Sequence, residues 1–429
     1  MKNIEHITDL CVIGGGMAGI CTAISAARHG IKVVLVQDRG VLGGNASSEI
    51  RMWICGAHGK DNRETGIIEE IMLENFFQNP QLSYSLWDMV LFDKTARQDN
   101  LTLLLNTSCL DANTENGKII SITAWQSPCE TVHTIKARYF ADCSGDSILS
   151  TLTGAHFRYG REAESEFGES IEPKTADKKT MGMSCLFQVR ETDKPQKFTP
   201  PEWAYKYCTD DDIPFREHDL SSNFWWIETG GEGDCIHDTD KCRDELLKIA
   251  YGVWDHIKNH GDHGAENYEL EWVGILPGKR ESRRYVGKYT VTQNDVEAGG
   301  NFDDIIAYAG WSMDDHSPAG INHKTSYPTV FHPAPSPWGI PFRALCSENI
   351  ENLLFAGRNI SVTHAALSSS RVMATCALLG QAVGTAVAQM VQYGENTDNI
   401  DIERLQDSLM ADDCWLPGKN RSVSELSLD

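Results

Sequence analysis

The feature that most constrains this chain lies in its first forty residues. Leu10-Cys11-Val12-Ile13 is a short apolar run of the kind that forms a buried strand, and Lys32-Val33-Val34-Leu35-Val36 is a second. Between them, Gly14-Gly15-Gly16-Met17-Ala18-Gly19 opens an alanine-rich stretch from Ile20 to His29 with helical spacing. Gly30 stands where such a helix would end. Strand, glycine turn, helix and strand make a βαβ unit. The spacing Gly14-x-Gly16-x-x-Gly19 gives each glycine a task. Gly14 permits the tight turn, Gly16 lets backbone approach a pyrophosphate, and Gly19 lets helix and strand pack closely. Met17 and Ala18 fall in the first helical turn, where N–H groups and the positive end of the helix dipole favour an anion. The pattern predicts a dinucleotide-binding domain.

In such units the second strand usually ends in an acid that takes the ribose hydroxyls. Here Gln37 holds that position and Asp38 follows it. A carboxamide oxygen accepts a hydroxyl hydrogen bond without carrying charge, so both residues stand as candidates for the adenosine ribose.

The fingerprint alone does not separate FAD from NAD. Later segments do. Leu42-Gly43-Gly44-Asn45-Ala46 follows the second strand, and Ala141-Asp142-Cys143-Ser144-Gly145-Asp146 ends a further predicted strand. Leu353-Leu354-Phe355-Ala356-Gly357-Arg358 is a third strand ending in glycine, and Gly380-Gln381-Ala382-Val383-Gly384 lies on a long predicted helix, Val372 to Val391. In this order the segments resemble the FAD-dependent oxidoreductases of the glutathione-reductase-like group. The Gly-Gly-Asn-Ala loop, Arg280-Glu281-Ser282-Arg283-Arg284 and Ser369-Ser370-Arg371-Val372-Met373 are similar to a broad family described simply as FAD-dependent oxidoreductases. The resemblance implies FAD held by Gly14, Gly16, Met17, Ala18, Gly19, Gln37, Asp38, Gly43, Gly44, Asn45, Ser144, Gly145, Asp146, Gly357, Arg358, Gln381 and Ala382, and since the sequence shows no linkage motif the FAD is expected to be noncovalent. Arg358 departs from the group, which commonly carries Asp after that glycine.

The same resemblance implies an α/β architecture. A Rossmann-type FAD-binding domain is made of residues 1–160 and 339–429, and 161–338 are inserted as an α+β substrate or cap domain. Elsewhere, Leu101–Leu105 and Ile119–Ala124 read as strands joined through an Asn116-Gly117 hairpin turn, and Asp244–Lys258 reads as a helix. No second glycine fingerprint with flanking strands and no CxxC pair is present. Electrons are therefore expected from the substrate or from an external donor or acceptor.

Around the flavin, Cys55 and His58 follow the glycine-rich loop, the alternative being a buried thiol and a surface imidazole. Arg280, Arg283 and Arg284 are candidates to hold an oxygen-rich substrate, since guanidinium forks fit planar anions. Their alternative is internal pairing with Glu281 or Asp295. Arg358, His364 and Arg371 flank the third motif. A cation there would favour reduced flavin, and His364 or His58 would take a substrate hydroxyl proton. His256, His260 and His263 are spaced to share a helix face, but Gly261 and Gly264 break that face, and no metal is expected. Trp203, Trp225, Trp226, Trp272 and Trp311 read as core before they read as stacking platforms.

The charge balance of 38 Lys plus Arg against 61 Asp plus Glu, net -23, argues against nucleic acid as a partner. The polar opening residues and the absence of a long apolar stretch predict a cytoplasmic protein with no membrane contact. The thirteen cysteines lack a regular framework and read as reduced thiols. A homo-oligomer is compatible with all of this. The expected activity is hydride transfer between FAD N5 and a small polar organic substrate, carbohydrate-related or an acid. The rivals are a redox-neutral flavoprotein of the isomerase or hydratase kind and a NAD-dependent Rossmann dehydrogenase.

Overall fold

In the computed structural model, which describes residues 1–59, 63–221 and 223–419, the βαβ unit forms the centre of the largest sheet. Strand β1 (Lys2–Ile13) leads through the glycine turn into helix α1 (Met17–Arg28) and strand β2 (Val33–Val36). β1 and β2 pair in parallel, from Leu10 opposite Val33 to Ile13 opposite Val36. Every residue of β2 is buried, as a parallel strand covered on both faces requires.

Helices α2 (Ile67–Gln78) and α3 (Tyr84–Ala96) come next, followed by strand β3 (Leu101–Leu104), parallel to β2 at the sheet edge. The chain then crosses over through β4 (Thr107–Glu115) and β5 (Lys118–Gln126) to β6 (Thr131–Asp142), which lies parallel to β1 on its other side. The hairpin turn at Asn116 and Gly117 is present, with both residues at positive φ. Its first strand is Thr107–Glu115, however, not the run Leu101–Leu105. The reason is chemical. Thr107–Glu115 is polar and largely solvent-facing, so it shows no apolar run, whereas Leu101–Leu104 has the apolar character of an edge strand on the parallel core. The strand Leu353–Phe355 returns from far along the chain to pair with β6, Phe355 opposite Asp142. The C-terminal ends of β1, β6 and this late strand thus meet, where ligands bind in open α/β sheets.

Two apolar clusters form among the described residues. The larger covers the sheet and α1 and extends to the C-terminal helices, taking in Tyr285, Ile306, Tyr308 and Trp338 from the middle of the chain. The smaller gathers Phe187, Phe224, Trp226, Trp254 and neighbours around helix α4 (Thr239–Asn259) and the antiparallel strands Phe187–Glu191 and Tyr268–Val273. Residues 161–338 therefore divide their apolar side chains between both cores.

Helix α5 (His364–Ser370), not predicted separately, precedes α6 (Met373–Tyr393). α6 corrects one reading of the sequence: by length and composition it is apolar enough to cross a membrane, yet 94% of its most apolar window is buried inside the protein. It is a core helix because it packs along α1. A Cβ on Gly380 would overlap the carbonyl oxygen of Ala18, and one on Gly384 would overlap that of Thr22. Two glycines on one face let the helix backbones nearly touch.

Candidate functional site

The glycine loop shows which of its residues are constrained by the protein and which are not. Gly14 has φ +100°, and a Cβ there would lie 2.5 Å from the carbonyl oxygen of Cys143. A Cβ on Gly19 would overlap the carbonyl oxygen of Gly14. Both positions demand glycine for packing. Gly16 differs: its φ of -71° suits any residue, and its Cβ would meet only the Cα of Gly44, at 3.9 Å. Among the described residues nothing requires glycine at 16, so the demand comes from the space outside. There the first-turn N–H groups of α1 have no intrahelical partner.

The segment Leu42–Ala46 lies on this loop. Gly43 N–H donates to Gly15 O at 2.8 Å, and Gly43 and Gly44 both have positive φ. Asn45 is turned away, its Nδ2 donating to Lys279 O at 3.0 Å. Gln37 is buried, and its carboxamide is internally engaged. Oε1 accepts from Gly15 N–H at 2.7 Å and Nε2 donates to Val41 O at 3.1 Å. Gln37 thus ties the glycine loop to the segment after β2. Asp38 stays solvent-facing, near Arg39.

The end of β6 is organised by Asp142, fully buried, whose carboxyl is pushed up by burial against the hydrogen bonds that lower it. It accepts from Ser144 Oγ at 2.6 Å, Tyr285 Oη at 2.6 Å and Leu149 N–H at 2.9 Å. Asp146 lies where the strand ends meet. It accepts from Lys279 Nζ at 2.7 Å, Ser282 Oγ at 2.8 Å and Arg358 at 2.6 Å. Burial would raise its carboxyl, but Arg358 and Lys279 outweigh that and hold it at about 2. Gly145 makes room for this pair: a Cβ there would overlap the Arg358 guanidinium. Gly357, at φ +118°, faces Ala18. Arg358, read from sequence as a cation after the third motif, is thus joined to the acid of the second. Gln381 and Ala382 are buried in α6. Gln381 Oε1 accepts from Ile67 N–H at 2.9 Å and so caps the start of α2.

A second group of side chains surrounds α5. His364 is 2% exposed. Its Nδ1 donates to Glu281 at 2.9 Å and its Nε2 to Asp315 at 3.2 Å. Burial lowers its pKa, but the two carboxylates overcome this and hold the ring protonated well above the ordinary range. An imidazolium with both N–H groups donated has no lone pair for a substrate hydroxyl. Arg284 lies beneath, paired with Glu162 and Glu281. Glu172 accepts from Ala365 N–H at 2.8 Å, and burial pushes its carboxyl up to about 7.

The strand Met313–His316 supplies residues that no motif in the sequence had marked. Asp314 accepts from Arg371 at 2.9 Å. His316 stands between Glu228, at 2.8 Å, and Asp314, at 3.3 Å. Arg280 lies 3.5 Å from Glu228 and also donates to Gly182 O and Trp225 O. Arg280, Arg284 and Arg371 are thus engaged internally, while Arg283 is held more loosely, over Phe157 and 3.5 Å from Asp146 O. The only cue in the sequence was a run of two acids and a histidine within a short strand.

Residues 55–58 lie against the start of α6. Ala374 N–H, in the first turn of α6, donates to Cys55 O at 3.0 Å. Buried Glu64 bridges Ala57 N–H, at 2.9 Å, and Thr375 Oγ1, at 3.0 Å. Burial pushes the Cys55 thiol up, which disfavours the thiolate. His58 stacks on Trp311 with ring centroids 4.2 Å apart. Of the five tryptophans read as core, Trp226 is buried, Trp225, Trp272 and Trp311 are half-buried and Trp203 is exposed. Trp272 stacks on Arg51, whose guanidinium also lies over Tyr84, a sandwich missed in the sequence.

Comparison with known proteins gives a family. The family model described as FAD dependent oxidoreductase matches residues 9–409. A glycerol-3-phosphate dehydrogenase of Mycobacterium leprae (strain TN) is 36% identical over 66 residues, 15% of this chain, and the match spans 11% of that enzyme's length. Among solved structures, a geranylgeranyl bacteriochlorophyll reductase-like protein from Thermoplasma acidophilum aligns over 96% of this chain and 85% of its own, at 13% identity and a TM-score of 0.43. The quinol fumarate reductase FrdA of E. coli aligns over 96% and 74%, at 11% identity and a TM-score of 0.37.

Proposed function

This chain belongs to the FAD dependent oxidoreductase family, and we propose that it moves a hydride between FAD and a small, neutral, hydroxyl-rich substrate. The observation that carries the FAD part is the cradle at Gly16: open space beside a residue that the protein itself does not require to be glycine. FAD fits the residues present. The N–H groups at the start of α1 face that space, the Gly43-Gly44 backbone lines it, and the Asp146–Arg358 pair stands at the neighbouring strand ends. When bound, FAD supplies the hydride-accepting or hydride-donating centre.

What supports a neutral substrate is the state of the cations. Arg280, Arg284 and Arg371 already satisfy internal acceptors, so these guanidiniums are not waiting for a carboxylate. Asp315, 26% exposed on its side chain, offers acceptors suited to hydroxyl donors. His364 Nε2–H donates to Asp315 Oδ1 at 3.2 Å at the outer end of the buried network. This pair is the group placed to exchange a proton with a substrate hydroxyl while the adjacent C–H bond is made or broken. His58 stacked on Trp311 supplies a flat face against which a ring can pack.

The test begins with the purified protein. A yellow protein absorbing at about 450 nm carries oxidised flavin. Anaerobic mixing with a panel of sugars, polyols, hydroxy acids and unsaturated acids should bleach that band with neutral polyhydroxylated compounds and not with acids. Bleaching by acids alone would refute the substrate class. Turnover of a compound with no net bleaching would replace hydride transfer by a redox-neutral reaction.

A further inference from the structure

As a helix face, the spacing of His256, His260 and His263 is broken by Gly261 and Gly264. The fold uses that interruption. His256 is the last helical histidine, the chain turns at Gly261 (φ +84°), and His263 folds back to the same place. Glycine at 261 supplies the positive φ of the turn, and a Cβ there would lie 2.9 Å from His263 Nε2. His218 and Asp210 arrive from a separate loop. The three imidazole centroids lie 4.8 to 4.9 Å from one another. One ligand atom from each of Asp210, His218, His256 and His263 falls within 4.8 Å of all the others.

The hydrogen bonds around these rings leave a gap that a cation fills. His256 Nδ1 lies 3.0 Å from Tyr207 O, which can only accept, so Nδ1 carries hydrogen. That leaves His256 Nε2 pointing at Asp210 Oδ1, 3.1 Å away. A neutral His256 would set a lone pair against a carboxylate oxygen. Among the described residues the buried Nε2 atoms of His218 and His263 have no hydrogen-bond partner, and His263 Nε2 lies 3.8 Å from Asp210 Oδ1. A ring nitrogen bonded to a carbonyl, with the other nitrogen aimed inward, is the usual support of a metal-binding histidine. Ligand atoms around a four-coordinate zinc with bonds of about 2.0 Å lie about 3.3 Å apart. The His256–Asp210 separation already matches, and side-chain rotations of the less buried Asp210, His218 and His263 close the rest.

We propose that Asp210, His218, His256 and His263 form a zinc-class metal site that clips the loop 210–218 to the end of α4 and the turn after it. Three imidazoles and one carboxylate complete a tetrahedral shell with no open position, which makes the site structural. It lies beside the smaller core, since His218 packs near Trp226 at 6.3 Å. It is independent of the FAD cradle.

The experiment uses the full chain as purified with its flavin. After chelator treatment, equilibrium dialysis against zinc with elemental analysis should give about one zinc per chain, and zinc should raise the melting temperature. A His218→Ala/His263→Ala double variant should lose about 100-fold in zinc affinity with its flavin-to-protein ratio unchanged. Asp210 is exposed, so Asp210→Asn tests the site without risk to folding and should also weaken zinc. Wild-type protein that stays below about a tenth of an equivalent at saturating zinc would overturn the proposal. So would unchanged zinc affinity in Asp210→Asn together with His263→Ala.

Discussion

Replacing Gly16 by valine and Gly19 by alanine separates a glycine kept for a ligand from one kept for packing. At Gly16 the backbone is extended, with φ -71° and ψ -178°, a conformation valine adopts freely. The nearest atom to a new Cβ is Gly44 Cα at 3.9 Å, an ordinary contact. Loss of a glycine N-cap costs at most about 1 kcal/mol, so Gly16→Val should fold and melt close to wild type. Its branched side chain nevertheless fills the space in front of the first turn of α1. The expected loss in FAD affinity is at least about 100-fold, equivalent to about 2.8 kcal/mol, and the variant should purify colourless. Gly19→Ala meets the opposite problem. Its Cβ would overlap the carbonyl oxygen of Gly14 within the core, and such overpacking costs about 1–3 kcal/mol or more. It should melt well below wild type whether or not FAD is present. The assay pairs thermal melts with FAD released on denaturation, per chain. A Gly16→Val protein that keeps stoichiometric FAD would show that the pyrophosphate does not lie at this loop.

Three further outcomes follow from the same geometry. Acid precipitation should release the flavin into the supernatant, and flavin retained by the denatured chain would make Cys55, His58 or His364 a covalent anchor. Arg358→Ala removes one of two cations from Asp146, held at about 2. The loss of a charged hydrogen bond should cost about 1–3 kcal/mol and weaken FAD retention, with Arg358→Lys recovering part of both. Unchanged melting and FAD affinity in Arg358→Ala would make the pair idle. Glu172 is raised by burial from 4.5 to about 7, so the folded protein binds its proton more tightly than the unfolded chain does. Its stabilisation is complete below about pH 4.5 and is lost as pH rises through 7, a swing on the order of 3 kcal/mol. Glu172→Gln should flatten the pH–stability profile in that window, and parallel profiles for the two proteins would refute the assignment.

Sequence legibility divides along a physical line. The glycine loop, the Asn116-Gly117 turn and the buried parallel strands are demands made by the backbone on its own residues. Each therefore leaves a local signature in a single stretch of chain. The Gly-Gly-Asn-Ala loop and the strand ending at Asp146 belong to the same kind, since positive φ and burial are written where they act. Helix α6 shows the limit of such signals. Its composition is that of a membrane span, and only the close approach to α1 through Gly380 and Gly384 distinguishes it as core.

Side-chain pairing follows a different rule, because a charge has no local signature of its partner. Arg358 and Asp146 are 212 residues apart, and His364 meets Glu281 across 83. From sequence alone a histidine before a polar helix reads as a base. Placed between buried Glu281 and half-buried Asp315 it becomes a cation with both N–H groups already donated. The four histidine-cluster residues make the same point in reverse. A helical spacing rule looks along one face and finds it broken by glycine, while the turn that glycine allows brings His263 back to His256 and within reach of His218 and Asp210. The glycine that argues against a metal on a helix is the residue that permits one at the helix end.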